Sequence, residues 1–199
     1  MRKYFKQFLV LLSVFVFTQS LTANEQTDLR EHFVKKLDEV ILVVKDEKIS
    51  KDDRNAKIID LLTPMFDFKL MAKLSLGKNE WNKLNSDEKE NFIKLYVNRM
   101  KNSYSSKIDS YKDEKLEVRD IQAKKNRIII TTDVVNKNES LEVIYKYYKP
   151  KKLKVNKDKW LIYDIEIIGV SILKADKAQF KEFLKTKSIS QLIEKLAQK

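Results

Sequence analysis

The chain has 199 residues and a formal charge of +12, from 41 lysines and arginines against 29 acids, with one histidine, two glycines and no cysteine. Without thiols there is no disulfide framework and no thiolate metal site, and a single histidine disfavours catalytic zinc, two-histidine haem and a Ser-His-Asp triad. Gly77 and Gly169 stand far apart, so no glycine-rich loop is available to wrap a nucleotide phosphate.

The chain opens with Arg2, Lys3 and Lys6, then an apolar run from Phe8 to Phe17 broken only by Ser13, then polar Thr18 to Ser20 and a small Ala23. That is the layout of a secretory leader. Ten residues rise about 15 Å as a helix, half of the roughly 30 Å bilayer core, so an uncleaved anchor is the weaker reading. Cleavage after Ala23 would remove 3 basic residues and no acid, leaving +9 on a single domain over residues 24–199. No cysteine follows the run to accept a lipid anchor.

Leu29, Phe33, Leu37, Val40 and Val44 recur at three- and four-residue intervals and predict a helix to about Lys45. Ser50 and Asp53 start the next helix, which Pro64 ends. Phe66, Leu70 and Leu74, widened by Phe68, Met71 and Ala72, mark a strongly apolar helix that stops at Gly77. Beyond Trp81 and Leu84, Asn85 or Ser86 caps a long helix to about Ser110, whose face carries Phe92, Leu95, Tyr96, Met100, Tyr104, Ile108 and Tyr111. Tyrosine on that face can line an apolar cavity while its hydroxyl finds a polar partner.

The period then changes to two. Lys115–Ile121, Arg127–Val135, Ser140–Tyr148 and Lys159–Ile168 alternate as strands, joined by direct turns that imply an antiparallel, twisted sheet. Leu141, Val143, Tyr145 and Tyr147 are expected on one face of the third strand, and Leu161, Tyr163, Ile165 and Ile167 on the same face of the fourth. Glu142, Lys146, Asp164 and Glu166 fall on the other, at least partly wet face. Two short helices follow, carrying Phe180, Phe183 and Leu184, then Leu192, Ile193 and Leu196. The class is α+β: an antiparallel sheet of about four strands with helices over one face.

Reactive constellations are few. Ser171 lacks the surroundings of a nucleophile elbow and reads as a strand-end serine; His32, between Glu31 and Phe33, reads as a surface histidine. Asp164 and Glu166 could form a dyad, but interspersed lysines favour solvated or salt-bridged carboxylates. Asn138-Glu139-Ser140 matches a glycosylation acceptor and equally a hairpin turn. Lys146, Lys149, Lys151, Lys152, Lys154, Lys157 and Lys159, opposed by Asp158, form the most lopsided charge cluster, suited to anionic headgroups, to an acidic protein or simply to water. Inward aromatic and methionine faces without covalent chemistry suit carriage of an apolar ligand, and describe an ordinary core equally well.

Two series of local strings add to this. The first is Phe66-Asp67-Phe68, Met71-Ala72, Leu76-Gly77 and Trp81, with Phe92 beyond; the second is Trp160, Tyr163-Asp164-Ile165, Gly169-Val170-Ser171-Ile172 and Gln179-Phe180. Together they resemble the periplasmic phospholipid-binding MlaC family, also called the toluene-tolerance Ttg2 family. The chain departs from its pattern in having three residues between Gly77 and Trp81 where two are usual, and Asp176 and Lys177 where a Tyr-Arg pair is common.

The resemblance implies a soluble periplasmic shuttle that serves outer-membrane lipid asymmetry, and the chain is expected to act as a monomer without cofactor; the lysine cluster could touch nucleic acid phosphates, but export argues against that partner. The resemblance also implies a phospholipid held with its acyl chains in a cavity between sheet and helices, and passage between an outer-membrane lipoprotein complex and an inner-membrane ABC transporter complex with a membrane-anchored substrate-binding subunit. The expected tail contacts are Phe66, Met71, Tyr96, Met100, Tyr104, Tyr145 and Tyr163, each with a dry-core alternative. Lys177, Lys151 and Lys152 are the candidate headgroup or partner contacts. The alternatives are a secreted NTF2-like enzyme, which would need an acid or histidine in its pocket, and a non-catalytic envelope interaction module, which would show no cavity.

Overall fold

The computed structural model describes residues 24–108, 115–135 and 140–198, without the side chains of 103–108. The leader Met1–Ala23, the side chains of Tyr104 and Ile108, Tyr111, and Asn138 in its turn lie outside the described residues.

Helix α1 occupies 24–44 and turns Leu29 and Phe33 inward. Helix α2 spans Lys51–Leu62, started by the Ser50 hydroxyl, which accepts from the Asp53 amide at 3.1 Å. Pro64 cannot continue that helix, and the chain tightens into a single 3₁₀ turn, Thr63–Met65. Asp67 restarts it by accepting the Leu70 amide at 3.1 Å, giving α3 over Phe68–Leu76. Gly77, at φ +84°, closes α3 and opens a short helix α4, Lys78–Lys83, that the periodicity had not separated. A reciprocal pair then starts α5, Ser86–Ile108: Asn85 accepts from the Glu88 amide at 2.9 Å and Glu88 from the Asn85 amide at 2.8 Å.

Strands β1 (Lys115–Lys124), β2 (Arg127–Val135), β3 (Ser140–Tyr148), β4 (Leu161–Ile167) and β5 (Val170–Ser171) form one antiparallel sheet in sequence order. The expected four strands gain a fifth of two residues, too short to show a period. Ile168 and Gly169, both at positive φ, make the tight hairpin that folds β5 onto β4. Helices α6 (Ile172–Phe183) and α7 (Ile189–Ala197) complete the chain.

The facing of β4 needs correction. Lys146 pairs with Asp164 but Tyr147 pairs with Ile162, so Tyr163 is an extra residue on β4, a β-bulge. A bulge reverses the alternation, and Ile162 joins Ile165 and Ile167 on the helix-covered face while Leu161 and Tyr163 leave it. Tyr163 instead stands edge-on to Tyr148 at 6.0 Å, under the Arg127 guanidinium. Asp164 is not solvated: it is buried, accepts from the Ser171 hydroxyl at 2.8 Å and the Leu173 amide at 3.2 Å, and lies 3.1 Å from the Lys146 ammonium. It thereby ties β4 to the start of α6, where Ser171 is the N-cap.

A second centre of packing joins the helices. Trp81, Phe92, Tyr96 and Phe180 meet at ring-centroid distances of 5.9–6.5 Å across α4, α5 and α6. Beside them Asp176, buried on α6, accepts from the Tyr96 hydroxyl at 2.9 Å and from Arg99 at 2.7 Å. Burial and then the Asp176 charge hold the Tyr96 hydroxyl protonated far above its ordinary range. Replacing Asp176 with alanine should destabilise the protein by about 3 kcal/mol in urea unfolding, the lower end for breaking a buried pair because Arg99 keeps some contact with water. Asp176→Asn, which keeps one acceptor oxygen for Arg99 and can donate its amide to the Tyr96 oxygen, should cost less.

Candidate functional site

The face of α1 that continues from Phe33 does not close onto the sheet along its whole length. At the near end Phe33 packs edge-on against Tyr145 (4.9 Å) and Tyr147 (6.4 Å), and the interior is filled. Further along, Leu37, Val40, Ile41 and Val44 of α1 face Leu116, Val134, Val143 and Ile167 across a gap. These sheet residues are mutual neighbours at one end of the sheet: Leu116 pairs with Val134, and Val143 with Ile167.

The gap is a half-open cavity of about 310 Å³. Ile59, Leu62 and Thr63 from α2 and its 3₁₀ turn, Phe66 and Phe68 around Asp67, and Met100 and Lys101 on α5 complete its wall with Tyr145, Ile162 and Ile165. Of the 19 lining residues only Thr63, Lys101 and Tyr145 carry a polar side-chain atom. The Tyr145 hydroxyl is fully buried and hydrogen-bonded with Thr132; burial pushes its pKa up to about 12, so it is a neutral wall group. No carboxylate or imidazole lines the cavity among the described residues. Such an almost wholly apolar surface suits hydrocarbon.

Phe66, Met100 and Tyr145 therefore line this cavity. Met71 and Tyr96 lie in the dry packing among the helices, Tyr163 is turned away by the bulge, and Tyr104 is outside the described side chains. Lys177 is exposed on α6, with its stem lying across Gly77. Lys151 and Lys152 are exposed on the loop between β3 and β4. The residues not singled out beforehand are mainly branched aliphatics. The stripe Leu37, Val40, Val44 was visible in the sequence, but nothing local distinguishes an aliphatic facing space from one facing another side chain.

The family model described as "MlaC protein" matches residues 34–198, and the chain belongs to that family. No curated protein matches the sequence. Among solved structures, a phospholipid-binding protein from Ralstonia solanacearum, in complex with a phospholipid, is similar at 18% identity with a TM-score of 0.71. The likeness covers 87% of this chain and 94% of that one, and shows a shared fold.

Asp67, in the Phe-Asp-Phe string, fixes one wall. Its amide donates to the Ile162 carbonyl at 2.9 Å, placing Phe66 beside β4, and Phe66 and Phe68 stack at 5.1 Å. Burial alone would raise the Asp67 pKa, but hydrogen bonds from Lys154, Tyr148 and the Leu70 amide outweigh it and hold the carboxyl below its ordinary value. Ionised Asp67 thus stabilises the fold fully above the unfolded-state pKa of about 3.9, and this contribution is lost as pH falls through the lower folded-state value. Melting curves from pH 7 to pH 3 should show the wild type losing its advantage over Asp67→Asn below about pH 4. A constant difference across that range would remove Asp67 as the source.

Proposed function

We propose that this member of the MlaC family is a soluble periplasmic phospholipid carrier, which holds acyl chains in the cavity and makes or breaks no covalent bond. The observation that carries the reading is the unfilled hydrocarbon-walled space itself. Protein interiors are normally close-packed. The walls of an unfilled apolar space of about 310 Å³ forgo the dispersion contacts that close packing would give them. A cargo that supplies the missing packing recovers those contacts. The cargo gains too: two tails of about 15 methylenes each cost roughly 24 kcal/mol to expose to water at ~0.8 kcal/mol per methylene. The phospholipid held by the Ralstonia protein supports the same class of cargo here.

In this proposal residues 1–23 direct export and residues 24–199 form the working domain. Phe66, Met100 and Tyr145 contact the tails, joined by Leu37 and Val40 from α1 and by Ile165 and Ile167 from the sheet. The carrier exchanges lipid with an outer-membrane lipoprotein complex and an inner-membrane ABC transporter complex. Direction depends on the relative affinities at those two stations and on whether ATP hydrolysis drives one of them.

Native mass spectrometry of the purified protein, followed by organic extraction, should find a phospholipid bound in stoichiometric amount. Val40→Phe and Ile167→Phe, which fill the cavity from opposite walls, should each lower bound lipid by more than half while leaving the melting temperature of stripped protein unchanged or raised. A protein always free of lipid, or variants that unfold as the added ring meets atoms already there, would refute the carrier.

A further inference from the structure

Between β3 and β4 the chain runs Lys149-Pro150-Lys151-Lys152-Leu153-Lys154-Val155-Asn156-Lys157-Asp158-Lys159, with six lysines in eleven residues. Four of the six are tied to the body of the protein, although Lys154 and Lys159 stay exposed. Lys149 and Lys159 meet Glu25 on α1, Lys154 meets Asp67, and Lys157 donates to the Thr63 and Phe66 carbonyls at 2.6 and 2.9 Å. Asp158 holds His32 of α1 at 2.7 Å. The loop is thus fastened on both sides; Lys154, Asn156 and Lys159 are exposed as well, but the exposed residues of the tip that carry the lysine and apolar side chains not used in these ties are Lys151, Lys152, Leu153 and Val155. Val155 and Leu153, at 88% and 75% exposure, are the two most exposed large apolar side chains among the described residues.

We propose that this tip docks the protein on an anionic bilayer surface. Two lysines followed by two apolar side chains at alternating positions meet, in one surface, anionic phosphates and the hydrocarbon just beneath them. An acidic protein would satisfy the lysines but would leave Leu153 and Val155 in water unless it also offered pockets. Tethering adds a second reason. Thr63 and Phe66, which receive Lys157, are themselves cavity wall, so a docked loop brings that wall to the membrane. Docking does not depend on whether the cavity carries lipid, and its test uses protein binding alone.

Co-sedimentation of the purified protein with phosphatidylcholine vesicles, with and without phosphatidylglycerol, reads it out. Binding should require the anionic lipid and weaken as salt shortens the screening length from about 10 Å at 0.1 M to ~3 Å at 1 M. Each lysine near an anionic surface strengthens partitioning about fivefold, so Lys151→Gln with Lys152→Gln should weaken it ~25-fold. Leu153→Asn with Val155→Asn should also weaken it, at unchanged charge. Lys181→Gln with Lys187→Gln, an equal charge removed from the exposed surface near the end of α6, should leave it nearly unchanged. All six side chains are exposed, and unchanged circular dichroism and melting would confirm that the variants fold. The proposal is overturned if wild-type protein ignores anionic vesicles, as an exclusive protein partner would require, if the loop variants bind as tightly as wild type, or if the α6 control falls equally.

Discussion

The contact of Phe33 with Tyr145, 4.9 Å between ring centroids, divides the interior of this protein in two. On one side aromatic rings from α1 and β3 reach each other and close the space. On the other the residues that face each other are Val40, Val44, Val134 and Val143, with leucine and isoleucine between them. Branched side chains of that reach cannot span a gap that two rings fill. Past the aromatic wedge, hydrocarbon of the helix is left facing hydrocarbon of the sheet across open volume. Everything functional depends on that open volume, because the same residues brought together would be an ordinary core.

A wall that lacks a partner on one side has to be held from behind. The structure does this with buried charge. Asp67 fastens the Phe66–Phe68 segment to β4, Tyr148 and the lysine loop; Asp164 fastens β4 to α6; Asp176 fastens α6 to α5. Each carboxylate accepts several hydrogen bonds, which makes a buried acid tolerable. Burial would depress the Lys146 pKa, yet its bonds with Glu166 and Asp164 raise it above the ordinary value, so this ammonium also stays charged. These ties lie outside the cavity and do not polarise it.

Most element types, the antiparallel order and the helix caps at Ser50 and Gly77 were legible in the sequence because each is a local matter of period, capping residue or turn chemistry, whereas the caps at Asp67, Ser171 and Ser188 were not singled out. Of the two readings open for Asp164, solvated or salt-bridged, the second holds, and of Asn85 or Ser86 it is Asn85 that caps α5. The facing of β4 was not legible. Strict alternation put Tyr163 with Ile165 and Ile167, and one bulged residue changes the face of everything before it. Nor could the sequence separate Met71 and Tyr96, in dry packing, from Met100 and Tyr145, at the cavity wall. Met100 lies one helical turn beyond Tyr96 on the same face of α5, and they differ only in what the fold sets opposite them. Aromatic and methionine residues drew notice as candidate lining, whereas most of the wall is valine, leucine and isoleucine, which look alike whether they face a side chain or a gap.

Helix α1 links these features. Its first half is fixed by polar contacts, Glu25 with Lys149 and Lys159, and His32 with Asp158. Its second half rests on the cavity, so there its apolar stripe lacks the packing that other helices draw from a filled core. Part-exposed pairs of this kind stabilise little singly, so the buried Leu29 and Phe33 anchor the first half, while the second half draws its packing from what occupies the cavity. Whatever fills the cavity completes the packing of residues 37–44, and whatever leaves withdraws it. These polar contacts lie outside the cavity, among residues that do not line it. That division leaves residues 37–44 as the part of α1 whose packing a cargo would complete.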